Sequence, residues 1–376
     1  MREHPRIREL VEAGVDVDDF WRIDGGRIIQ AFGHLSTQAV RKRLRKTSTT
    51  GTASNYTVPL SQARALKLKF MALFNAVLAQ RVKRLSPDFA VVSQGENFDG
   101  VHLALTCLRS GVPYALVCQK ATDHKWPMDS EREKMQDAFR NAQAVYFVSE
   151  HNRRLTERQL GFSLPQAEVV RNPYMTDVDE ALPYPQPVDG RLRMACVGRL
   201  FVQEKGQDIL LAVLSQAKWR DRNVEVNVYG QGVHRQALEQ SAQMQDLRNV
   251  KFAGFTDDVT AIWKTHHILV LPSRCEGLPL VLVEAMLCGR PSIVTDVGGN
   301  GEVVDDGETG FIACGADVAS FDDAMERAWS RRGDWERMGQ LAAQRVRQLV
   351  PADPGGVFAE KLAATFQCCP KGGQIT

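Results

Sequence analysis

The chain has 376 residues, 44% of them hydrophobic, and a formal net charge of +2. That length exceeds what one compact core usually organises and suits two domains of ordinary size. No window approaches the roughly 20 apolar residues that span a bilayer, and the polar start Met1-Arg-Glu-His-Pro lacks a signal-peptide core, so a cytoplasmic location is expected.

The cysteines at 107, 118, 196, 275, 288, 314, 368 and 369 form no Cys-x2-Cys pairs and mostly sit in apolar runs. Buried free thiols are expected, with neither a disulfide framework nor a bound metal. Charge is unevenly spread. Between Asp24 and Asp88 there is no acidic residue, while twelve Lys or Arg occur, densest at Arg41-Lys-Arg-Leu-Arg-Lys46. The basic region 25–87 reads either as a solvated face or as a surface drawn to an acidic acceptor or to anionic lipid, which would give peripheral contact at the inner membrane face. Nucleic acid is not expected as a partner, because neither interleaved aromatics nor a binding-module signature accompanies the charge.

Taken in order, Arg6-Ile-Arg-Glu-Leu-Val-Glu-Ala-Gly14 is helix-like. From residue 88 short apolar runs alternate with helix-length segments: Phe89–Ser93, a helix near 99–110, Tyr114–Cys118, a helix near 129–141, then Ala144–Ser149. This is βαβ rhythm, and strands apolar on both faces belong to parallel sheets covered by helices. Pro183, Pro185 and Pro187 mark a linker at 176–190. The rhythm resumes with Leu192–Val197, a helix at 206–218, Val224–Tyr229, a helix near 233–244, Val250–Phe252, a helix near 257–264, Ile268–Leu271, the helix carrying Glu284, and Ser292–Thr295. Two doubly wound α/β domains are the consistent solution, 1–175 and 191–350, with a final helix in 351–367 and a disordered tail at 368–376.

In such sheets ligands bind beyond the carboxyl ends of the strands. After Val197 come Gly198, Arg199, Lys205 and Gly206, and two cations on a flexible loop can clamp a diphosphate; two solvated surface cations are the plainer reading. After Tyr229 comes Gly230-Gln-Gly232, a ligand approach or simply a turn. After Leu271 comes Glu276-Gly277-Leu278-Pro279-Leu280, whose helix start offers free amides to an anion. There Glu276 can take a sugar hydroxyl and Glu284 the two hydroxyls of a ribose; otherwise Glu276 is a cap and Glu284 one half of an ion pair. After Thr295 comes Val297-Gly298-Gly299-Asn-Gly-Glu302, a second Gly-rich turn into a helix.

The stretches Gly198–Gly206, Phe252–Val259, Pro272–Met286 and Asp296–Glu302 through Gly310-Phe resemble the GT4 family of retaining glycosyltransferases over about 190–350, with weaker similarity at 88–174. The resemblance implies a GT-B fold, two Rossmann-like domains facing across a cleft. It implies a nucleotide-diphosphate sugar donor (UDP-, GDP- or ADP-linked), a glycan or lipid-linked acceptor, and hexosyl transfer with retention, without a metal or other cofactor. Arg199 and Lys205 would stabilise the leaving diphosphate, Glu276 would meet the donor sugar and Glu284 the ribose. Gly198, Gly230, Gly232, Phe255, Gly277, Leu278, Pro279, Leu280, Gly298 and Gly299 would line the donor site. His124 would face the sugar, and Gly95, Glu96 and Asn97 the acceptor. The first strand and Gly-rich loop of that family have no counterpart before Arg6. A non-catalytic nucleotide-sugar-binding partner and a sugar-nucleotide epimerase are the alternatives.

Overall fold

The structure, a computed structural model, describes residues 76–176, 178–187 and 189–368. The opening helix-like segment, most of the basic region and the tail from residue 369 lie outside the described residues. Two parallel sheets fall in one compact unit that begins at Phe70.

The first sheet has four strands in simple sequential order: β1 (Ala90–Gln94), β2 (Tyr114–Cys118), β3 (Ala144–Phe147) and β4 (Ala167–Val169). Helices α1 (Val101–Arg109), α2 (Asp129–Arg140) and α3 (Glu150–Leu160) connect them. Alternation divides the strands between two faces. Leu116, Cys118, Val145 and Phe147 pack with α1 and α2, whereas Ala115, Val117, Ala144 and Tyr146 face the other way. Phe358 and Leu362 of the last helix, which crosses back from the end of the chain, cover that second face, and Tyr146 Oη lies 2.7 Å from Thr365 Oγ1. Among the described residues β1 pairs only with β2, and its Val91 is exposed.

The second sheet holds β5 (Leu192–Val197), β6 (Val224–Tyr229), β7 (Val250–Gly254), β8 (Ile268–Leu271), β9 (Ser292–Thr295) and β10 (Gly310–Ala313), in the order β10-β9-β8-β5-β6-β7. Order reverses between β5 and β8, the switch point where a crevice opens beyond the strand ends. The period-2 rule is clean here. Met194, Cys196, Ile268, Val270 and Ile293 pack against α5 (Gln207–Leu214), α7 (Arg235–Met244) and α11 (Val318–Ser330). Ala195, Leu269, Leu271 and Val294 face α8 (Val259–Trp263), α9 (Leu280–Leu287) and α12 (Trp335–Leu349). Short helices α4 (Val202–Lys205), α6 (Ala217–Arg220) and α10 (Asn300–Val303) fill the connections, and α13 (Pro354–Gln367) is the helix on the first sheet.

The single helix expected at 206–218 is two. Ser215 Oγ bonds back to Ala212 O at 2.7 Å and Gln216 is extended, so the chain breaks between α5 and α6. The linker is fastened by Arg290, fully buried, whose guanidinium donates to Trp263 O and Pro183 O at 2.9 and 2.7 Å.

Candidate functional site

The site begins with a glycine. Gly206 ends α4 with φ +61, and a Cβ there would stand 2.0 Å from Pro272 O. Only a residue without a side chain lets the end of α4 tuck beneath the β8–α9 loop. That places Lys205 Nζ 2.6 and 2.8 Å from the two oxygens of Glu276, which also accepts from Ser273 Oγ at 2.7 Å. The carboxylate is 5% exposed. The loop holding it is stitched down: Arg274 N and Cys275 N donate to Glu204 O, and Arg274 forms a two-pronged pair with Asp208. Amid these charges burial pushes the Cys275 thiol up to about 11.

Arg199 lies on the same rim, exposed, with Nη2 2.5 Å from Glu204 Oε2. The other Glu204 oxygen meets Lys120, from the loop after β2, at 2.8 Å. Burial acts to raise the Glu204 pKa, but the Lys120 and Arg199 cations outweigh it and the net shift is downward. Both cations named from sequence are therefore paired to carboxylates in the ligand-free chain.

Glu284 lies within α9, 3% exposed, and accepts from Met175 N at 3.0 Å. Burial pushes its carboxyl above the usual range. The alternative reading of Glu284 as one half of an ion pair finds no cation among the described contacts; the bond to Met175 ties it to the segment leading into the linker.

The glycines acquire a reason that spacing alone did not supply. A Cβ on Gly230 would fall 2.0 Å from Gly198 O, and one on Gly232 2.2 Å from Leu200 O. On Gly298 it would fall 2.3 Å from Glu276 O. These loops stack backbone on backbone. Gly277 meets the other sheet, its Cβ position lying 2.1 Å from Gln119 O, and that of Gly299 lies 3.0 Å from Ser149 Cβ. Gly277, Leu278 and Pro279 are buried at this seam, whereas Leu280 and Phe255 are exposed. Asn152 Nδ2 reaches Glu276 O at 3.2 Å, and Glu302 accepts from His151 N and Arg171.

On the first sheet His124 and Gly95 are exposed, and Glu96 pairs with Lys125. Asn97 is buried and bonded to Gln159 at 2.5 Å, which makes it part of the wall rather than an open contact for an acceptor. Lys120, Glu204, Ser273 and Asn152 were not singled out from sequence. Glu204 adjoins Lys205, and Ser273 lies three residues before its partner Glu276, both within stretches with a local signal; Lys120 and Asn152 carry none, because their partners are distant in the chain. Among the described residues no group of three or more His, Cys, Asp or Glu is placed to hold a metal.

Paired parallel sheets joined by a crossing terminal helix, with cations and carboxylates at a switch point, define the GT-B class of fold. Solved structures agree at this level. The chain matches Anabaena HepE solved with UDP at a TM-score of 0.63 and 19% identity, covering 77% of this chain and 82% of that one. It matches the lipopolysaccharide outer core galactosyltransferase WaaB at 0.60 and 18%, covering 79% and 82%.

Residues 191–331 match the model described as Glycosyl transferases group 1. An uncharacterized glycosyltransferase of Methanocaldococcus jannaschii is 35% identical over 30% of this chain. The GDP-mannose-dependent alpha-(1-6)-phosphatidylinositol monomannoside mannosyltransferase of Mycolicibacterium smegmatis is 28% identical over 66%. A D-rhamnosyltransferase of Pseudomonas aeruginosa is 32% identical over 45%. The chain spans 31%, 70% and 47% of the lengths of these relatives.

Proposed function

We propose that the chain is a glycosyltransferase that moves a hexosyl unit from a nucleotide-diphosphate sugar to a glycan or lipid-linked hydroxyl, with retention. The observation that carries this reading is the Lys205–Glu276 pair beside Arg199 at the β5/β8 switch point, with the start of α9 behind it. In this reading the bond from the anomeric carbon to the phosphate oxygen breaks and its electron pair leaves on the diphosphate. Arg199, Lys205 and the α9 amides stabilise that charge where it develops. The acceptor hydroxyl bonds to the anomeric carbon and gives up its proton to the departing diphosphate oxygen. Glu276 orients the sugar, and Glu284 receives the ribose.

UDP appears with the Anabaena neighbour and GDP-mannose in the name of the Mycolicibacterium relative, so the base is left to assay. Among the described residues no helix is long and apolar enough to cross a membrane; the basic region is proposed to dock on anionic lipid where a lipid-linked acceptor would lie. The test is product analysis after incubation with UDP-, GDP- and ADP-sugars and an acceptor panel. A sugar–acceptor product with stoichiometric nucleotide release supports transfer. Interconverted donor sugar without acceptor would show an epimerase, and binding without turnover a non-catalytic partner.

A further inference from the structure

Arg199 and Lys120 come from different sheets yet share one carboxylate. Glu204 Oε2 lies 2.5 Å from Arg199 Nη2, and Glu204 Oε1 lies 2.8 Å from Lys120 Nζ. The Lys120 and Glu204 side chains are 14% and 19% exposed, whereas Arg199 is 59% exposed. Lys120 is held in place by its backbone, its carbonyl accepting from Asn97 N at 2.7 Å. Glu204 immediately precedes Lys205, so the Glu204 pair with Lys120 and Arg199 adjoins in sequence the Lys205–Glu276 pair. Cys275 lies within the fields of Lys120, Glu204, Glu276 and Lys205 together.

We propose that Glu204 is a resident anion that stands in for the donor's diphosphate. Its carboxylate holds Arg199 and Lys120 together; an arriving nucleoside diphosphate displaces it and takes Lys120 as a third cation, supplied by the four-stranded sheet. The inference rests on the donor-site reading above. Its physical reason is exchange of like for like. A half-buried ammonium is costly without an anion, and Lys120 has one in both states. The diphosphate brings more charge and more acceptor oxygens than a carboxylate, so it wins the exchange when present. Glu204 therefore opposes donor binding, while Lys120 favours it. A carboxylate serving only to hold the fold together would not oppose binding.

The experiment is calorimetric titration of the full chain with UDP, GDP and ADP, each alone, for wild type, Glu204→Gln, Lys120→Ala and Lys120→Arg. For the nucleotide that wild type binds, Glu204→Gln is expected to bind about three- to tenfold tighter and Lys120→Ala about tenfold weaker. Lys120→Arg should restore most of the loss. The matching nucleoside monophosphate should lose much less on Lys120→Ala. Equal or weaker diphosphate binding by Glu204→Gln, or unchanged binding by Lys120→Ala, overturns the proposal while leaving the donor site intact. Failure of wild type to bind any of the three nucleotides overturns the donor-site reading and this inference with it. Glu204→Gln is nearly isosteric, so its sign decides the matter even if Lys120→Ala does not fold.

Discussion

The two sheets meet the cleft with different chemistry. The six-stranded sheet brings ion pairs held in place by close-packed backbone, Lys205 on Glu276 and Arg199 on Glu204, beside the carboxyl of Glu284 buried in α9. The four-stranded sheet sends Lys120 and Arg171 across to Glu204 and Glu302, and otherwise brings buried uncharged polar side chains. Thr122, Asn152 and Thr156 are buried there, and each keeps a polar atom without a protein partner among the described residues. Buried polar atoms without partners ask for water or a hydroxyl-rich ligand. The difference teaches that the paired charge of the candidate site is gathered on the six-stranded side of the cleft.

The sharpest way to break that comparison is to separate the structural and chemical roles of the Lys205–Glu276 pair. Lys205→Ala leaves a buried carboxylate without its cation and should cost about 3–5 kcal/mol of stability, read by urea unfolding. Adding Glu276→Gln to Lys205→Ala should recover most of that stability and none of the transfer activity. Recovery of activity in the double variant would mean the pair is structural.

A second test addresses charge in the same sheet, far from the cleft. His267 lies just ahead of β8, almost fully buried, with Nδ1 accepting from Arg193 N at 2.9 Å. Burial lowers its pKa from 6.5 to about 4. The unfolded chain therefore binds the proton first. The contribution of His267 is complete above pH 6.5 and is lost as pH falls toward 4, about 3 kcal/mol in all. His267→Gln should flatten the stability–pH curve over that window relative to wild type; superimposable slopes would remove this account.

The smallest expected effect is at Glu284. Burial raises its pKa, so the fold favours the protonated form and its contribution to stability falls as pH rises through the raised value. At pH 7 Glu284→Gln should gain stability while weakening nucleotide binding about tenfold. Gain in both would deny it a ligand role.

Much of this was legible in the sequence, for reasons that are local. Continuous apolar strands such as Ile268–Leu271 announce a buried parallel sheet, and a glutamate in the apolar α9 announces a polar partner. What was not legible depends on closure between distant segments. No spacing rule pairs Lys205 with Glu276, places Lys120 on Glu204, or buries Asn97 against Gln159. The glycines at 230, 232, 298 and 277 answer a further demand that no local pattern shows, the carbonyl of another loop pressed against each. The β10 strand and α11 were also passed over, although Asp317 caps α11 through Ser320 N.

The central claim is that the Lys205–Glu276 pair acts on the donor sugar and its diphosphate. Steady-state turnover of the accepted sugar nucleotide by Glu276→Gln, beside wild type of matched folded fraction, tests it most directly. The account predicts a fall in kcat of about a hundredfold or more, the scale of removing a group that acts on the transition state, with acceptor-dependent nucleotide release in wild type. Undiminished kcat in a folded Glu276→Gln protein would contradict it.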